Sequence, residues 1–228
     1  MDFHRPTVAK ISLDAIKHNI KAIQKKVGNG TSVMAVVKAD AYGHGMTRVA
    51  EAALDAGAKW LGIATVDEAL ALRKAGFSSP VLILGPCFPE DAESLVSNDI
   101  STAVGSMKMA KALSDAARKL GKTAKLHIKV DTGMGRFGFW WEDLMDILPQ
   151  LKKLESIRLE GCFTHFAVSD IADFNYTRKQ HEFFNIFLKK AEKAGVRFDV
   201  VHSANSGGIL QHPDTYYDLV RAGVMLYG

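Results

Sequence analysis

Cysteine and proline are scarce in this 228-residue chain, with two cysteines, Cys87 and Cys162, and six prolines. Two distant thiols make neither a disulfide framework nor a zinc ribbon, and they suit a reducing, cytoplasmic setting. No stretch approaches the roughly 18 consecutive apolar residues of a membrane span. Residues 1–30 carry charges throughout and lack the apolar segment of a secretory signal. Basic residues form no stripe: 29 Lys and Arg against 25 Asp and Glu give a net charge of +4, spread along the chain. That argues against a nucleic-acid partner. No H-E-x-x-H, P-loop or G-x-S-x-G is present, and the eight histidines show no ligand spacing, so no metal site is expected.

What is present is an ordinary globular composition, 47% hydrophobic and 24% charged. Short apolar runs at 32–38, 60–65, 81–85, 100–105, 123–131, 157–165, 198–202 and 218–227 read as buried parallel strands. Amphipathic helices are predicted between them at 47–56, 66–75, 89–97, 106–120, 141–151, 176–194 and 205–211. Strict alternation of this kind implies parallel strands with right-handed crossovers. Eight units in this length fit a (β/α)8 TIM barrel, typically about 250 residues. A helix follows seven of the strands, and an additional one, Leu13–Val27, precedes the first. It is expected to cover the seam between the last strand and the first. The chain reads as one domain over 1–228.

In such a barrel the chemistry lies at the C-terminal ends of the strands. There the first strand presents Lys38, then Ala39-Asp40-Ala41-Tyr42-Gly43-His44-Gly45. An amine at the rim of an apolar strand becomes nucleophilic when desolvated beside other cations, as a Schiff-base lysine requires, and a lysine snorkelling to solvent is the plain alternative. The fifth strand carries His127, Lys129 and Asp131 on one side, followed by Thr132-Gly133-Met134-Gly135-Arg136. If that side is interior, Lys129 needs a partner, and Asp131 is the nearest candidate. The sixth strand ends at His165 and the seventh at His202, before Ser203-Ala204-Asn205-Ser206-Gly207-Gly208. The eighth holds Arg221, then Ala222-Gly223-Val224. The loops around Ser206 and Gly223 occupy the usual phosphate position of the fold, where backbone N–H groups can hold a dianion. Gly133 to Gly138 matches the dinucleotide motif G-x-G-x-x-G, but it follows the fifth strand, holds Arg136 inside it, and precedes its helix at a distance. A dinucleotide site is not expected there. Trp140-Trp141 reads as surface packing.

Ala35 to Gly45 resembles the pyridoxal-phosphate attachment motif of alanine racemases, and Asp131 to Arg136, His202 to Ser206 and Arg221 to Gly228 resemble further segments of that family. The resemblance covers essentially the whole chain. It implies an isomerase that interconverts L- and D-alanine, supplying D-alanine for the cell wall, with pyridoxal 5′-phosphate as cofactor. Lys38 would carry the cofactor as a Schiff base and act as one of two catalytic bases. Tyr42, Ser206, Gly223 and Val224 would hold the phosphate, with Asn205 in the same loop. His165 would pack on the pyridine ring, and Arg221, supported by His202, would face its nitrogen. Arg136 would contact the cofactor's phenolic oxygen and the substrate carboxylate, and Lys129 matches a lysine often carried as a carbamate. The family pairs as a homodimer and takes its second base, a tyrosine, from a C-terminal, mostly β domain. That domain is expected to be absent from these 228 residues. The alternative is a single-domain pyridoxal-phosphate-binding barrel of the cofactor-homeostasis kind, without racemase activity.

Overall fold

In the computed structural model, which describes residues 7–228, the first regular element is α1 (Leu13–Val27). Its start is set by Ser12, whose Oγ accepts a hydrogen bond from the Ala15 N–H, and Asp14 in the first turn and Lys25 and Lys26 in the last complement the helix dipole. Ile16, Ile20 and Ile23 fall on one stripe and are buried, each contributing about 2 kcal/mol.

The remaining elements alternate. They run β1 (Ser32–Val36), α2 (Lys38–Gly43), α3 (Met46–Asp55), β2 (Trp60–Ile63), α4 (Val66–Lys74), β3 (Val81–Ile83), α5 (Ala92–Ser97), β4 (Ser101–Val104), α6 (Met107–Leu120) and β5 (Ala124–Asp131). Then come β6 (Phe139–Trp140), α7 (Leu144–Lys152), β7 (Ile157–Phe163), α8 (Asn175–Lys193), β8 (Val200–His202), α9 (Ser206–Gln211) and β9 (Leu219–Ala222). All pairings are parallel, in the order β8-β7-β5-β4-β3-β2-β1-β9, with the two-residue β6 added to β5 outside that path. Between β8 and β9 the ladder gives way to single bonds, Asp218 N–H to the Val201 carbonyl (3.1 Å) and Arg221 N–H to the Ala204 carbonyl (3.0 Å). The eight strands therefore make the expected barrel, nearly closed. Helix α1 packs on β1, on α3 and on the 3-10 turn Val224–Leu226 after β9, the seam expected of it. Asn19 pins that contact by donating to the Leu226 carbonyl (3.0 Å).

Alternation along the strands sorts side chains into two regions. Val33 and Ala35 join the large core between sheet and helices, whereas Met34, Val36, Leu82 and Leu219 form a small apolar cluster of their own. Buried polar groups are added to this interior: His127, Lys129, Glu160, His202 and Arg221.

Several predicted boundaries shift: the sixth predicted strand stops at Phe163, so His165 lies two residues beyond it, and the second and third strands are each two residues shorter than expected. Three further shifts have a local reason. The first strand stops at Val36, because Val37 (ψ 18°) leads into a left-handed turn, so Lys38 lies beyond the strand rather than ending it. The helix expected from 141 begins at Leu144, since Trp140 pairs with Asp131 and the Trp141 N–H donates to the Asp131 carbonyl (3.1 Å). The strand expected to run to 227 ends at Ala222, where Gly223 turns the chain into the short 3-10 turn. No helix among the described residues is long and apolar enough to cross a membrane.

Candidate active site

Lys38 opens a turn in which Ala39, Asp40, Ala41 and Tyr42 all have φ between 51° and 54°. Four consecutive non-glycine residues in the left-handed region are costly, about 1 kcal/mol or more each, and persist only when surroundings fix them. Here the Ala41 side chain is fully buried, and the Ala41 N–H donates to the Val37 carbonyl (2.8 Å). Asp40 accepts from the Met46 N–H (2.7 Å), starting α3, and Gly43 and Gly45 supply the positive φ that continues the path. The turn carries the Tyr42 ring back to Lys38, whose Nζ stands 5.9 Å from the ring centre. Tyr227 supports Tyr42 from behind at 5.0 Å between rings and donates to the Val36 carbonyl (2.8 Å).

Beside Tyr42 lies the Ser206 loop. Ser206 Oγ accepts from the N–H groups of Gly223 (3.1 Å) and Met225 (3.3 Å). A methyl group on Gly223 would come within 3.2 Å of the Tyr42 hydroxyl and 3.5 Å of Ser206 Oγ, so a side chain there would fill the space these groups share. Val224 is exposed at its edge. Asn205 is committed to holding the loop: its Oδ1 accepts from the Gly208 N–H (3.0 Å) and from Ser169 Oγ (2.6 Å), and its Nδ2 donates to the Phe166 carbonyl (3.3 Å).

Arg221 projects from β9 into the barrel, and among the described residues no acidic side chain lies at hydrogen-bond distance from it. Its Nη2 donates to the carbonyls of Thr164 and Ser203 (both 2.9 Å) and approaches His165 Nδ1 at 3.2 Å. Its Nη1 meets His202 Nδ1 at 3.0 Å. Burial presses its pKa down to about 9, which leaves a cation at neutral pH. His165 is held neutral, its pKa pushed down to about 2 by burial and then by Arg221, Lys129, Arg136 and Lys38. Arg136 itself sits exposed on the loop after β5.

A chain of polar groups continues below Arg221. His202 Nε2 lies 3.1 Å from His127 Nδ1, and His127 Nε2 lies 3.1 Å from Glu160 Oε2, which also accepts from Ser101 Oγ (2.5 Å). Burial raises the pKa of Glu160, but hydrogen bonds from His127 and Ser101 outweigh it and hold the group below the usual carboxylate value. An ionised carboxylate only accepts, so the His127 proton is on Nε2. His127 Nδ1 must then accept from His202 Nε2, which leaves His202 Nδ1 bare to accept from Arg221. Burial keeps both histidines neutral, in line with this order. One anion at the base of the barrel thus fixes two tautomers and the orientation of a guanidinium.

Lys129 and Asp131 do not pair as the sequence suggested. Asp131 accepts from the N–H groups of Gly133 (2.9 Å) and Gly135 (2.9 Å), and Lys129 Nζ donates to the Val130 carbonyl (3.0 Å). Its pKa falls to about 8 through burial, with Asp131 opposing and Arg221 and Arg136 adding to the fall. The G-x-G-x-x-G segment leads into β6, with no helix start until Leu144. Trp141 stacks on Phe183 at 4.6 Å, as surface packing.

Lys38, Tyr42, Ser206, Gly223, His165, His202 and Arg221 come from four strand ends, and the structure places them at one end of the barrel. Glu160 and Ser101 were not foreseen. Strand alternation puts Glu160 on the side of Arg158, whose exposure gives no sign that a carboxylate at 160 is buried, and the β5–β7 register jumps from Leu126↔Leu159 to His127↔Gly161. Glu160 is the extra residue of that bulge, and bulges re-aim side chains.

Residues 11–228 match the family model described as alanine racemase, N-terminal domain. The chain is 46% identical over 225 residues to alanine racemase 2 of Caldanaerobacter subterraneus, covering 98% of this chain and 58% of that protein. It is 44% identical over 228 residues to an alanine racemase of Desulfovibrio desulfuricans, covering 62% of it. Among solved structures, the alanine racemase of Clostridium difficile in complex with cycloserine superposes with a TM-score of 0.96 at 37% identity, over 100% of this chain and 63% of that one. The chain thus spans about three fifths of these relatives. With sequence and barrel both of this pattern, the chain belongs to the alanine racemase family, matching its N-terminal domain.

Proposed function

We propose that this chain is the pyridoxal-phosphate-binding barrel of an alanine racemase, with Lys38 as attachment residue and as the base for one face of the substrate. The observation that carries this is the placing of a lysine, a hydroxyl-lined cradle and a buried guanidinium at one end of one barrel. The residues fit the cofactor. The space that a Gly223 side chain would fill, between the Tyr42 and Ser206 hydroxyls, suits a phosphate: both hydroxyls can donate to it, Ser206 Oγ being held in place by the N–H groups of Gly223 and Met225. When bound, pyridoxal phosphate supplies an electron-withdrawing ring that stabilises negative charge at the amino-acid Cα.

The protein groups then have separate tasks. Lys38 Nζ takes or returns the Cα proton on its side. Neutral His165 offers a flat wall, and Arg221, held cationic by carbonyls and by bare His202 Nδ1, presents a donor that does not release a proton to a ring nitrogen. Arg136 and Val224 border the entrance, Arg136 as the partner for a carboxylate. Lys129, with a pKa near neutrality, suits carbamate formation with carbon dioxide, which would place an anion beside Arg136. By the same reading the full-length protein is a cytoplasmic homodimer acting on alanine for cell-wall synthesis, and the base for the opposite face is a tyrosine of the family's C-terminal domain.

With one base, the 228-residue chain loaded with cofactor should exchange the Cα hydrogen of one alanine enantiomer with solvent deuterium, with little inversion. Proton NMR combined with chiral chromatography separates the two events. Efficient two-way racemisation by this chain contradicts the division of bases, and binding without any exchange favours a homeostasis barrel. Ser206→Ala should weaken cofactor binding about tenfold, the effect of one hydrogen bond to a charged group, when read by titration of the visible absorbance.

A further inference from the structure

The strained turn after Lys38 is held from outside by one carboxylate. Glu68, at the third position of α4, has two visible duties on its own helix. With Thr65 it forms a reciprocal cap: Thr65 Oγ1 accepts from the Glu68 N–H (3.3 Å), and Glu68 Oε2 accepts from the Thr65 N–H (3.2 Å). The same Oε2 accepts from the Ala64 N–H (2.7 Å). Its other oxygen, Oε1, faces away from α4 and accepts from the Ala39 N–H at 2.6 Å. Ala39 is the residue directly after Lys38 and the first of the four left-handed residues. Among the described residues, Glu68 is the one side chain from outside the 38–46 segment that hydrogen-bonds to its backbone. A helix cap alone does not require this contact, because the cap uses Oε2.

We propose that Glu68 is a positioning residue for Lys38: its carboxylate clasps the Ala39 N–H, ties the end of β1 to the start of α4, and holds the left-handed turn that aims the lysine at the Ser206 loop. The inference rests on Lys38 as the attachment residue, although the clasp itself can be tested without any cofactor. Charge chemistry makes the clasp specific. A carboxylate accepts at both oxygens, whereas a carboxamide of the same size has one acceptor and one donor. In Glu68→Gln the oxygen can serve Ala64 and Thr65 or it can serve Ala39, and the other side then faces N–H with N–H.

The experiment compares E68Q with T65A. Thr65→Ala removes the hydroxyl half of the helix cap while leaving both Glu68 oxygens in place, so it controls for a loss of α4 stability. In the cofactor-free chain, the Ala39 amide of E68Q should exchange with deuterium at least tenfold faster than in the unaltered chain, and T65A should stay within twofold. Loading of pyridoxal phosphate should follow the same order, slowed about tenfold in E68Q and little changed in T65A. Glu68→Asp, one methylene shorter, is the second variant if E68Q does not fold, and it should show faster Ala39 exchange in the same direction. Unchanged Ala39 exchange in E68Q, or equal effects of E68Q and T65A, overturns the proposal. Exchange that changes as expected in a chain whose Lys38 never takes up the cofactor upholds the clasp and removes the assigned function instead.

Discussion

Lys38→Ala is expected to abolish the visible absorbance that pyridoxal phosphate gains on covalent attachment, while changing stability by less than about 1 kcal/mol. Two lysines compete for the role, and simple amine chemistry favours the other one. Lys129 is buried and its pKa lies near 8, so more of it is neutral and nucleophilic at neutral pH than of an ordinary solvated lysine. Placement reverses that preference. Lys129 Nζ is engaged with the Val130 carbonyl and packed 5.6 Å from the Phe163 ring centre, within the barrel. Lys38 is half-buried beside Tyr42, and the Tyr42 hydroxyl borders the space in front of Gly223. A cofactor anchored by its phosphate in that cradle meets Lys38 first. Lys129→Ala should therefore retain the absorbance, and its loss in that variant together with its survival in Lys38→Ala would reverse the assignment.

The largest effect on folding is expected from Gly161→Ala. Gly161 sits opposite His127 immediately after the bulged Glu160, and a methyl group built on it overlaps Nδ1, Cε1 and Cγ of the His127 ring. The ring has nowhere to withdraw, because Glu160 holds one nitrogen, His202 the other, and Trp60 packs edge-on at 5.3 Å. Overpacking costs about 1–3 kcal/mol, and each buried hydrogen bond broken adds about 1–3. A total of about 3–5 kcal/mol lowers Tm by roughly 6–20 °C in a chain of this size. The overlap can be relieved from the other side: His127→Ala in the Gly161→Ala background should cost much less than the two single effects added together. A Gly161→Ala variant that melts within about 1 °C of the unaltered chain contradicts this account of the bulge.

Much of the barrel was legible because alternation of strand and helix is repeated from β1 to β9, and each repeat reinforces the others. Lys38 and the Ser206 loop were legible for the same reason, because both follow strand ends, whereas Tyr42 was singled out by the family resemblance. Local exceptions were not legible. The left-handed turn at Ala39 to Tyr42 uses, apart from Asp40, residues with no intrinsic preference for positive φ, so only tertiary contacts reveal it. Asp131 was expected beside Lys129 because the two share strand parity, but the N–H groups of the loop that follows it claimed its oxygens. Glu160 was hidden because its same-side neighbour Arg158 is exposed, and Glu68 by its second role, since a capping box reads as a helix start and says nothing about which loop the spare oxygen reaches.

The central claim is that one lysine of this barrel, Lys38, receives the cofactor. Incubating the 228-residue chain with pyridoxal phosphate, reducing with borohydride and mapping the modified peptide by mass spectrometry tests it directly. The account predicts one stoichiometric modification, at Lys38. Stoichiometric labelling of Lys129, or labelling scattered over surface lysines with Lys38 unmodified, would contradict it.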